Sequence, residues 1–179
     1  MTRDPHPPSP ADTGDALRSR ERLAEIRELG LTSPDLDPVL AELCREAAHA
    51  LSLPVGLVSI VLDGAQHFAA QHGLSGWMKE TRGTPIDWSF CVHAVRSGED
   101  FVVTDATRDP AVRDSPLVHN EGVRCYAGVP LRTSRGHIVG TLCALGEETR
   151  PFSGGDLAIL RGLAGRVVAH IESRRRAAG

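Results

Sequence analysis

The sequence has few aromatic residues, no excess of positive charge and no long apolar run, and each shortage excludes a class of protein. Only 4% of the 179 residues are aromatic and the net charge is -3, so the chain offers few rings for base stacking and no overall attraction for phosphate backbones. No stretch approaches the roughly 18 apolar residues of a membrane span, and the first residues lack the apolar centre of a signal peptide. We therefore expect no nucleic-acid partner, no membrane partner and a cytoplasmic location.

Paired cysteines and common catalytic motifs are also missing. The four cysteines, Cys44, Cys91, Cys125 and Cys143, are scattered without a C-x-x-C pair, so the sequence indicates neither a zinc knuckle nor a thioredoxin-like site. In a reducing cytosol these thiols are expected to be free. The sequence contains no phosphate-binding G-x-x-x-x-G-K-S/T loop, H-E-x-x-H helix or G-x-S-x-G elbow. We predict no metal site and no catalytic residues.

What the chain does contain is typical of one globular domain. With 41% hydrophobic and 24% charged residues, it can bury a core, and its length suits a single unit. Residues 1–17 are rich in proline and polar residues, which predicts a flexible tail. The domain itself is predicted over 18–173. The basic end at 174–179 suits the dipole of a terminal helix, and we assign it no function.

Hydrophobic spacing predicts the secondary structure of the first half. Apolar residues recur at helical intervals before Gly30 and again from Leu36 to Leu51, which predicts two helices. The β-branched run VGLVSIVLD and the segment AQHFAAQHGL meet at Asp63-Gly64, a sequence typical of a hairpin turn. The connection that follows contains glycine and threonine and has no predicted element.

The second half predicts three more strands and two helices. DWSFCVHAV indicates a short helix with Ser89 as its cap and Gly98 at its end. It is followed by the strand FVVTD and by a turn-rich connection with one or two helical turns. Next come the strands RCYAGVPLR and HIVGTLCALG and a helix that begins at Ser153. This order predicts an α/β fold of the α+β type, with helices packed on one face of an antiparallel sheet.

In their order along the chain, these segments resemble a bacterial GAF domain over about residues 18–169. The most specific parts are SFC-x-HA at 89–94, the D-A-x-x-D-P turn at 105–110, and the strands carrying Y-x-G-x-P-L and G-T-L-C. The resemblance implies a central antiparallel sheet of five to six strands, with N- and C-terminal helices on one face and a ligand pocket on the other. Fold resemblance alone does not select the ligand.

The resemblance also implies which side chains line the pocket. Mostly apolar walls with a few converging polar groups are the usual form of a small-molecule site. The alternative for the aromatic residues is a role as core anchors, and His93 would then be a hydrogen-bonded structural histidine. The candidate ligand-binding residues are Trp88, Phe90, Cys91, His93, Asp105, Arg124 and Tyr126.

The cofactor stays unknown at this point. GAF domains bind cyclic nucleotides, bilins or haem, or act as dimerising modules in signalling proteins. The sequence lacks the bilin-bearing cysteine before the fifth strand and the N-K-x-D-E signature of cyclic-nucleotide binders. His93, His119 and His137 could be proposed as axial haem ligands, but no sequence feature supports any of them.

Two functions remain open. In the first, the chain is a GAF domain of signal transduction that senses an unidentified small molecule or binds a signalling partner, forms a homodimer through its terminal helices, and catalyses nothing itself. In the second, it resembles free methionine sulfoxide reductase, a GAF-fold thiol enzyme, because Cys91 stands roughly where that enzyme has a cysteine. The glycine-rich setting of that cysteine is absent here. Loss of an activity on replacing Cys91, rather than loss of stability, would favour the second.

Cys91 itself has two interpretations. Its predicted place near the start of a short helix is a position that lowers a thiol pKa. A buried free cysteine, by contrast, commonly behaves as a small hydrophobic residue without reactivity. On a helix, Cys91 and His93 would point in divergent directions, so the sequence does not predict a thiolate-imidazolium pair.

Overall fold

The computed structural model describes residues 16–178, so most of the predicted tail, residues 1–15, lies outside the described residues. The last two tail positions, Ala16 and Leu17, belong to a turn of 3-10 helix over Ala16–Arg18, and Leu17 is buried. The folded region therefore begins before residue 18.

Helices and strands mostly follow the sequence prediction. The prediction missed the short helix α3 (Gly76–Thr81) and the strand β3 (Gly83–Pro85), which lie in the connection without a predicted element. α3 has six residues, none of them buried, and β3 has three, so neither is long enough to show a periodic pattern. The elements of residues 16–178 are α1 (Arg20–Glu28), α2 (Pro38–Ala50), β1 (Val55–Val61), β2 (Ala65–His72), α3 (Gly76–Thr81), β3 (Gly83–Pro85), α4 (Cys91–Ser97), β4 (Phe101–Val103), α5 (Pro116–His119), β5 (Cys125–Arg132), β6 (Ile138–Gly146) and α6 (Gly154–Ala178).

The strands form one antiparallel sheet in the order β3-β2-β1-β6-β5-β4. The hairpin predicted at Asp63-Gly64 joins β1 to β2, with Val61 paired to Gln66. β1 also pairs with β6, which pairs with β5. The predicted antiparallel sheet is thus confirmed, and the missed strand β3 brings it to the upper end of the predicted five to six strands.

Side chains alternate between the two faces of the sheet and build two separate cores. On one face, residues such as Val58 and Ile60 of β1 pack with α1, α2 and α6. On the other, Leu57 and Val61 of the same strand pack with residues of α4 and α5. The terminal helices therefore cover one face, as predicted, and the short middle elements cover the other.

The last helix does not end in a purely solvated basic segment. α6 continues to Ala178, and Arg174 contacts Asp37, the N-cap residue of α2. Arg175 forms an ion pair with Glu28 of α1. The basic end thus ties α6 to the two N-terminal helices, a role that the sequence pattern did not indicate.

Arg22 joins the N-terminal segment to the sheet. Its side chain is only 4% exposed, and the guanidinium donates hydrogen bonds to the backbone carbonyls of Ala16, Leu17, Val61 and Ile138. Burial lowers the pKa of this guanidinium. The fork-shaped donor set of arginine suits several acceptors at once, so one side chain satisfies carbonyls at the ends of β1 and β6 and in the N-terminal turn.

Candidate functional site

A small enclosed cavity lies between the sheet and the short middle helices, on the face where the sequence predicted a pocket. Its volume is about 30 Å³. β1, β2, β5 and β6 form its floor, while α3, α4, α5 and the segments next to them form its roof. The lining residues are Leu57, Gln66, Phe68, Leu74, Met78, Phe90, Cys91, Leu117, Val123, Tyr126, Cys143 and Leu145.

A glycine in β5 fixes the position of Tyr126 on the floor. Gly128 lies two residues along the same strand, and a Cβ atom built on it would come within 2.2 Å of the Tyr126 hydroxyl. The phenol ring therefore lies across the bare backbone of Gly128. From there the hydroxyl donates a hydrogen bond to the Cys91 sulfur at 3.1 Å. Phe90 packs edge-on against the same ring, with centroids 5.4 Å apart.

A buried polar network closes one end of the cavity. Gln66 Oε1 accepts hydrogen bonds from the hydroxyls of Ser59 at 3.1 Å and Ser89 at 2.7 Å. Gln66 Nε2 donates to the Thr84 hydroxyl at 2.6 Å. Ser89 is therefore not the predicted helix cap, because α4 has no side-chain cap and its N-cap residue is Phe90. Because these partners satisfy the Gln66 amide, the surface that faces the cavity stays almost entirely apolar.

The two thiols of the cavity differ in acidity. The neighbouring Cys143 thiol, followed by the hydroxyls of Thr141, Tyr126 and Ser59, lowers the pKa of Cys91 to about 6 against the opposing effect of burial. Cys91 and burial both raise the pKa of Cys143. Burial is also the main cause that raises the pKa of Tyr126, so the phenol is a hydrogen-bond donor at neutral pH. Donors thus surround Cys91, whose charge they would stabilise.

Two tryptophans form contacts between roof segments at the protein surface. The indole nitrogen of Trp77 in α3 donates to Glu121 at 2.8 Å, and the Trp77 ring meets Trp88 edge-on with centroids 5.5 Å apart. Trp77 is 39% exposed. Gly76 and Gly122, beside these contacts, have φ of 61° and 75°, conformations that favour glycine.

Three of the predicted site residues meet at the cavity, namely Phe90, Cys91 and Tyr126. Trp88 lies outside it, in the outer roof contact with Trp77. His93 also lies outside it because it is on the opposite side of α4, against the Phe101 ring with centroids 4.6 Å apart. Burial and then the charge of Arg96 lower the pKa of His93.

His93 belongs to a separate surface groove of about 320 Å³ beside Asp87, Arg96 and Asp114. The groove is open and its charged residues are on its rim. The structure thus places Phe90, Cys91 and Tyr126 at the cavity and His93 in this groove.

Asp105 and Arg124 are not in the cavity either. The Asp105 carboxylate accepts from the backbone amide and hydroxyl of Thr107, which stabilises a turn. The Arg124 guanidinium donates to the carbonyls of Val118 and Val123, so it supports the loop between α5 and β5. Both side chains were expected at the pocket from the family resemblance, and local backbone partners hold them elsewhere.

Sequence reasoning missed Gln66 and Cys143. Both alternate with core residues in strands that were predicted correctly, so the period of two would have placed them on the pocket face once that face was known. The sequence pattern alone does not tell which of the two faces carries the cavity.

A larger groove lies on the helix face, with a volume of about 500 Å³, and is lined by Leu36, Asp37 and His170 among others. Its charged groups already pair with one another, because Asp37 accepts from His170 at 2.8 Å and from Arg174. The enclosed cavity is therefore the better candidate site.

Metal and membrane sites find no support in the described part of the chain. Residues 16–178 contain no group of three or more His, Cys, Asp or Glu side chains placed to hold a metal ion. Within the same residues, no helix is long and apolar enough to cross a membrane.

A six-stranded antiparallel sheet with terminal helices on one face and a roofed cavity on the other defines one class of small α/β domains. The family model for the GAF domain matches residues 35–171, and the chain belongs to this family. A cyclic di-GMP phosphodiesterase of Pseudomonas aeruginosa is 37% identical over 171 residues, which are 94% of this chain and 27% of that protein. The chain therefore spans about a quarter of that relative's length.

Solved structures agree on the fold. The GAF domain of a phosphoenolpyruvate-protein phosphotransferase from Coxiella burnetii superposes with a TM-score of 0.67 at 21% identity, covering 95% of this chain and 99% of that one. Free methionine-R-sulfoxide reductase from Neisseria meningitidis, in complex with its substrate, gives 0.63 at 22% identity, covering 96% and 97%. At these identities the likeness concerns the fold alone.

Proposed function

We propose that this chain is a regulatory GAF domain that binds a small molecule in the enclosed cavity and passes the change to a partner signalling protein. The observation that carries the proposal is the cavity itself, which has almost entirely apolar walls and a roof of short elements. Concave sites lined mainly by apolar side chains are typical of small-molecule sites.

Ligand entry requires movement of the roof. Ligand pockets usually measure roughly 300–1,000 Å³, against about 30 Å³ here. Trp77 links α3 to the neighbouring roof segments at the surface through its hydrogen bond to Glu121 and its aromatic pair with Trp88, next to glycines with positive φ. We infer that binding lifts α3 away from α5 and breaks the Trp77-Glu121 contact.

The partner class follows from the relative in Pseudomonas aeruginosa. Identity of 37% runs through nearly the whole chain, so we propose that the partner belongs to the enzymes that make or degrade cyclic di-GMP. We also propose a homodimer through the terminal helices. Ile159 of α6 is 44% exposed, and Val39 of the adjoining α2 is 48% exposed, which gives that face apolar side chains without neighbours in the chain.

The thiol-enzyme alternative has one observation in its favour, the lowered pKa of Cys91 in the cavity. Reduction of methionine sulfoxide would require the same opening of the roof as ligand binding, so the cavity volume does not separate the two functions, but the glycine-rich setting of the cysteine in that enzyme is absent around Cys91. We therefore place the regulatory function first. Dithiothreitol-dependent reduction of free methionine sulfoxide, abolished in Cys91→Ser, would reverse that order.

Tryptophan fluorescence tests the proposed binding because Trp77 and Trp88, the two tryptophans of the chain, both sit in the roof. The reduced protein is titrated with cyclic di-GMP, cyclic AMP, cyclic GMP and free methionine sulfoxide. For the compound that binds, we expect a saturable change in emission and a rise in melting temperature, equivalent to about 2.7 kcal/mol at a hundredfold excess over Kd.

A matched pair of variants locates the binding. Leu117→Phe fills the cavity beneath the roof, whereas Leu36→Phe makes the same change at a side chain that is 82% exposed. We expect the first variant to lose the emission change and the second to keep it. Full retention in Leu117→Phe would place the ligand outside the cavity and contradict the proposal.

A further inference from the structure

We propose that Cys91 and Cys143 form a redox-active thiol pair, which a small peroxide converts into an intramolecular disulfide between α4 and β6. The proposal goes beyond ligand sensing, because it assigns a covalent modification to two side chains of the cavity wall. It also stands without the proposed ligand, since the reaction needs only the thiols and the oxidant.

The geometry brings the two cysteines to one place from distant parts of the chain. Cys91 is the first residue of α4, Cys143 lies in the middle of β6, and both line the same cavity. α4 packs directly on β6. Gly128 is the register partner of Cys143 in β5, and the Tyr126 phenol lies across that glycine with its hydroxyl 3.1 Å from the Cys91 sulfur.

A second observation supports reactivity at this point. The Thr141 hydroxyl is fully buried on the same strand as Cys143 and has no hydrogen-bond partner of standard geometry. Buried polar groups usually have such a partner. Its hydroxyl lies near enough to Cys91 to contribute to the lowered pKa of that thiol, so it is a further donor for a thiolate at this point.

The two thiols suit the two steps of disulfide formation. Cys91 has the lowered pKa and would be the attacking thiolate. The Cys91 thiolate is a main cause of the raised pKa of Cys143, so its conversion into a neutral sulfenic acid removes that cause and favours ionisation of Cys143 for the second step. The other two cysteines lack this chemistry. Burial raises the pKa of Cys44 to about 12 and raises that of Cys125.

The cavity also selects the oxidant by size. A water molecule needs roughly 10–15 Å³ of such volume, so about 30 Å³ admits two water-sized groups. Hydrogen peroxide consists of two such groups, whereas bulkier organic hydroperoxides do not fit unless the roof opens. The substrate class is therefore the smallest peroxides.

The reaction balances within these components. The Cys91 thiolate attacks one peroxide oxygen, the O–O bond breaks, and the leaving hydroxide takes a proton to become water, which leaves a sulfenic acid on Cys91. The Cys143 sulfur then attacks the Cys91 sulfur and displaces a second water, with its own proton completing that molecule. Two thiols lose two electrons and one peroxide gains them.

The test uses the full chain, reduced and freed of reductant, and exposed to hydrogen peroxide. Thiols are counted under denaturing conditions, and peptide mapping by mass spectrometry locates any cross-link. We expect loss of two of the four thiols, a mass lower by two hydrogen atoms, a Cys91-Cys143 linked peptide, and full reversal by dithiothreitol. A cross-link between other cysteines, or four thiols surviving in the folded protein, would overturn the proposal.

Single variants separate the two roles. Cys143→Ser cannot resolve but keeps a donor beside Cys91, so we expect a sulfenic acid at Cys91 that dimedone traps when the oxidised protein is unfolded in its presence, whereas Cys91→Ala should neither trap dimedone nor lose thiols. Cys44→Ala and Cys125→Ala are the matched controls, and both should still form the cross-link. Dimedone labelling at Cys143 in the Cys91→Ala variant at the wild-type rate would reverse the assigned roles and refute the mechanism.

The wild-type result does not depend on the stability of any variant, because the linked peptide is read from the native chain. The outcome is also distinct from that of the ligand titration. Cross-linking without ligand binding would support the thiol pair alone, and ligand binding without cross-linking would support the sensor and refute the pair.

Discussion

Replacing Gly128 by alanine tests whether the Tyr126 phenol really depends on a bare strand backbone. The new Cβ would lie 2.2 Å from the Tyr126 hydroxyl and 2.7 Å from the carbon that carries it. Gly128 pairs with β4 on one side and β6 on the other, so its backbone cannot retreat. The tyrosine must move instead, although it is only 2% exposed.

The expected cost follows from three contributions. Overpacking a core costs about 1–3 kcal/mol, and loss of the hydroxyl's hydrogen bond to Cys91 adds about 1 kcal/mol. Alanine recovers roughly 0.5–1 kcal/mol relative to glycine within a strand. The net free energy of unfolding should fall by about 1–3 kcal/mol, which lowers the melting temperature by roughly 2–4 °C per kcal/mol in a chain of this size.

Urea unfolding followed by circular dichroism measures this change. Gly162→Ala in α6 is the matched control, because a Cβ there meets no atom within 4 Å, and it should be neutral or stabilising. The Gly128→Ala and Tyr126→Phe double variant should recover part of the loss, since the nearest clashing atom is gone. A Gly128→Ala protein as stable as the wild type would refute the placement of Tyr126.

Three further predictions concern other parts of the molecule. Arg22→Met should lower the free energy of unfolding by about 2–4 kcal/mol in urea titrations, because four backbone carbonyls lose their donor; an effect under about 0.5 kcal/mol would contradict this. The pKa of Asp37 is lowered despite burial, by His170 and then Arg174, so its stabilisation is present above the unfolded pKa and is lost as pH falls through the folded one. The stability difference between wild type and Asp37→Asn should therefore be present near pH 7 and decline as pH falls below about 4, the ordinary pKa of an aspartate, and a difference that does not decline in acid would refute the assignment. Glu121→Ala should red-shift tryptophan emission at a cost under about 1 kcal/mol, because it frees an indole nitrogen at an exposed site; unchanged emission would show that the contact does not hold the roof.

The amino-acid sequence determined most of the fold through local patterns. The β-branched apolar run VGLVSIV and the Asp63-Gly64 turn define the first hairpin, and a left-handed Gly98 ends α4 as predicted. These signals lie within a few residues of one another, so they survive without tertiary information. α3 and β3 carried no comparable signal, since neither is long enough for a period to repeat.

For the candidate site, too, the sequence predicted one part and the tertiary structure decided the rest. The family resemblance placed Phe90, Cys91 and Tyr126 at the pocket, and the structure brings these three together. It also assigned Arg124 and Asp105, which backbone partners draw into loop and turn contacts instead. Motif positions specify the element on which a residue lies, whereas the direction of a side chain depends on whichever hydrogen-bond partner is nearest after folding.

Only the tertiary structure decided how small the cavity is and which thiols share it. The juxtaposition of Cys91 with Cys143 depends on α4 packing against β6, and on a phenol that lies over a glycine in a third element, β5. The roof contact between Trp77 and Glu121 likewise joins segments that no local pattern relates. Sequence periodicity records which face of an element is buried, but a volume and a contact between distant side chains arise only when several such faces pack together.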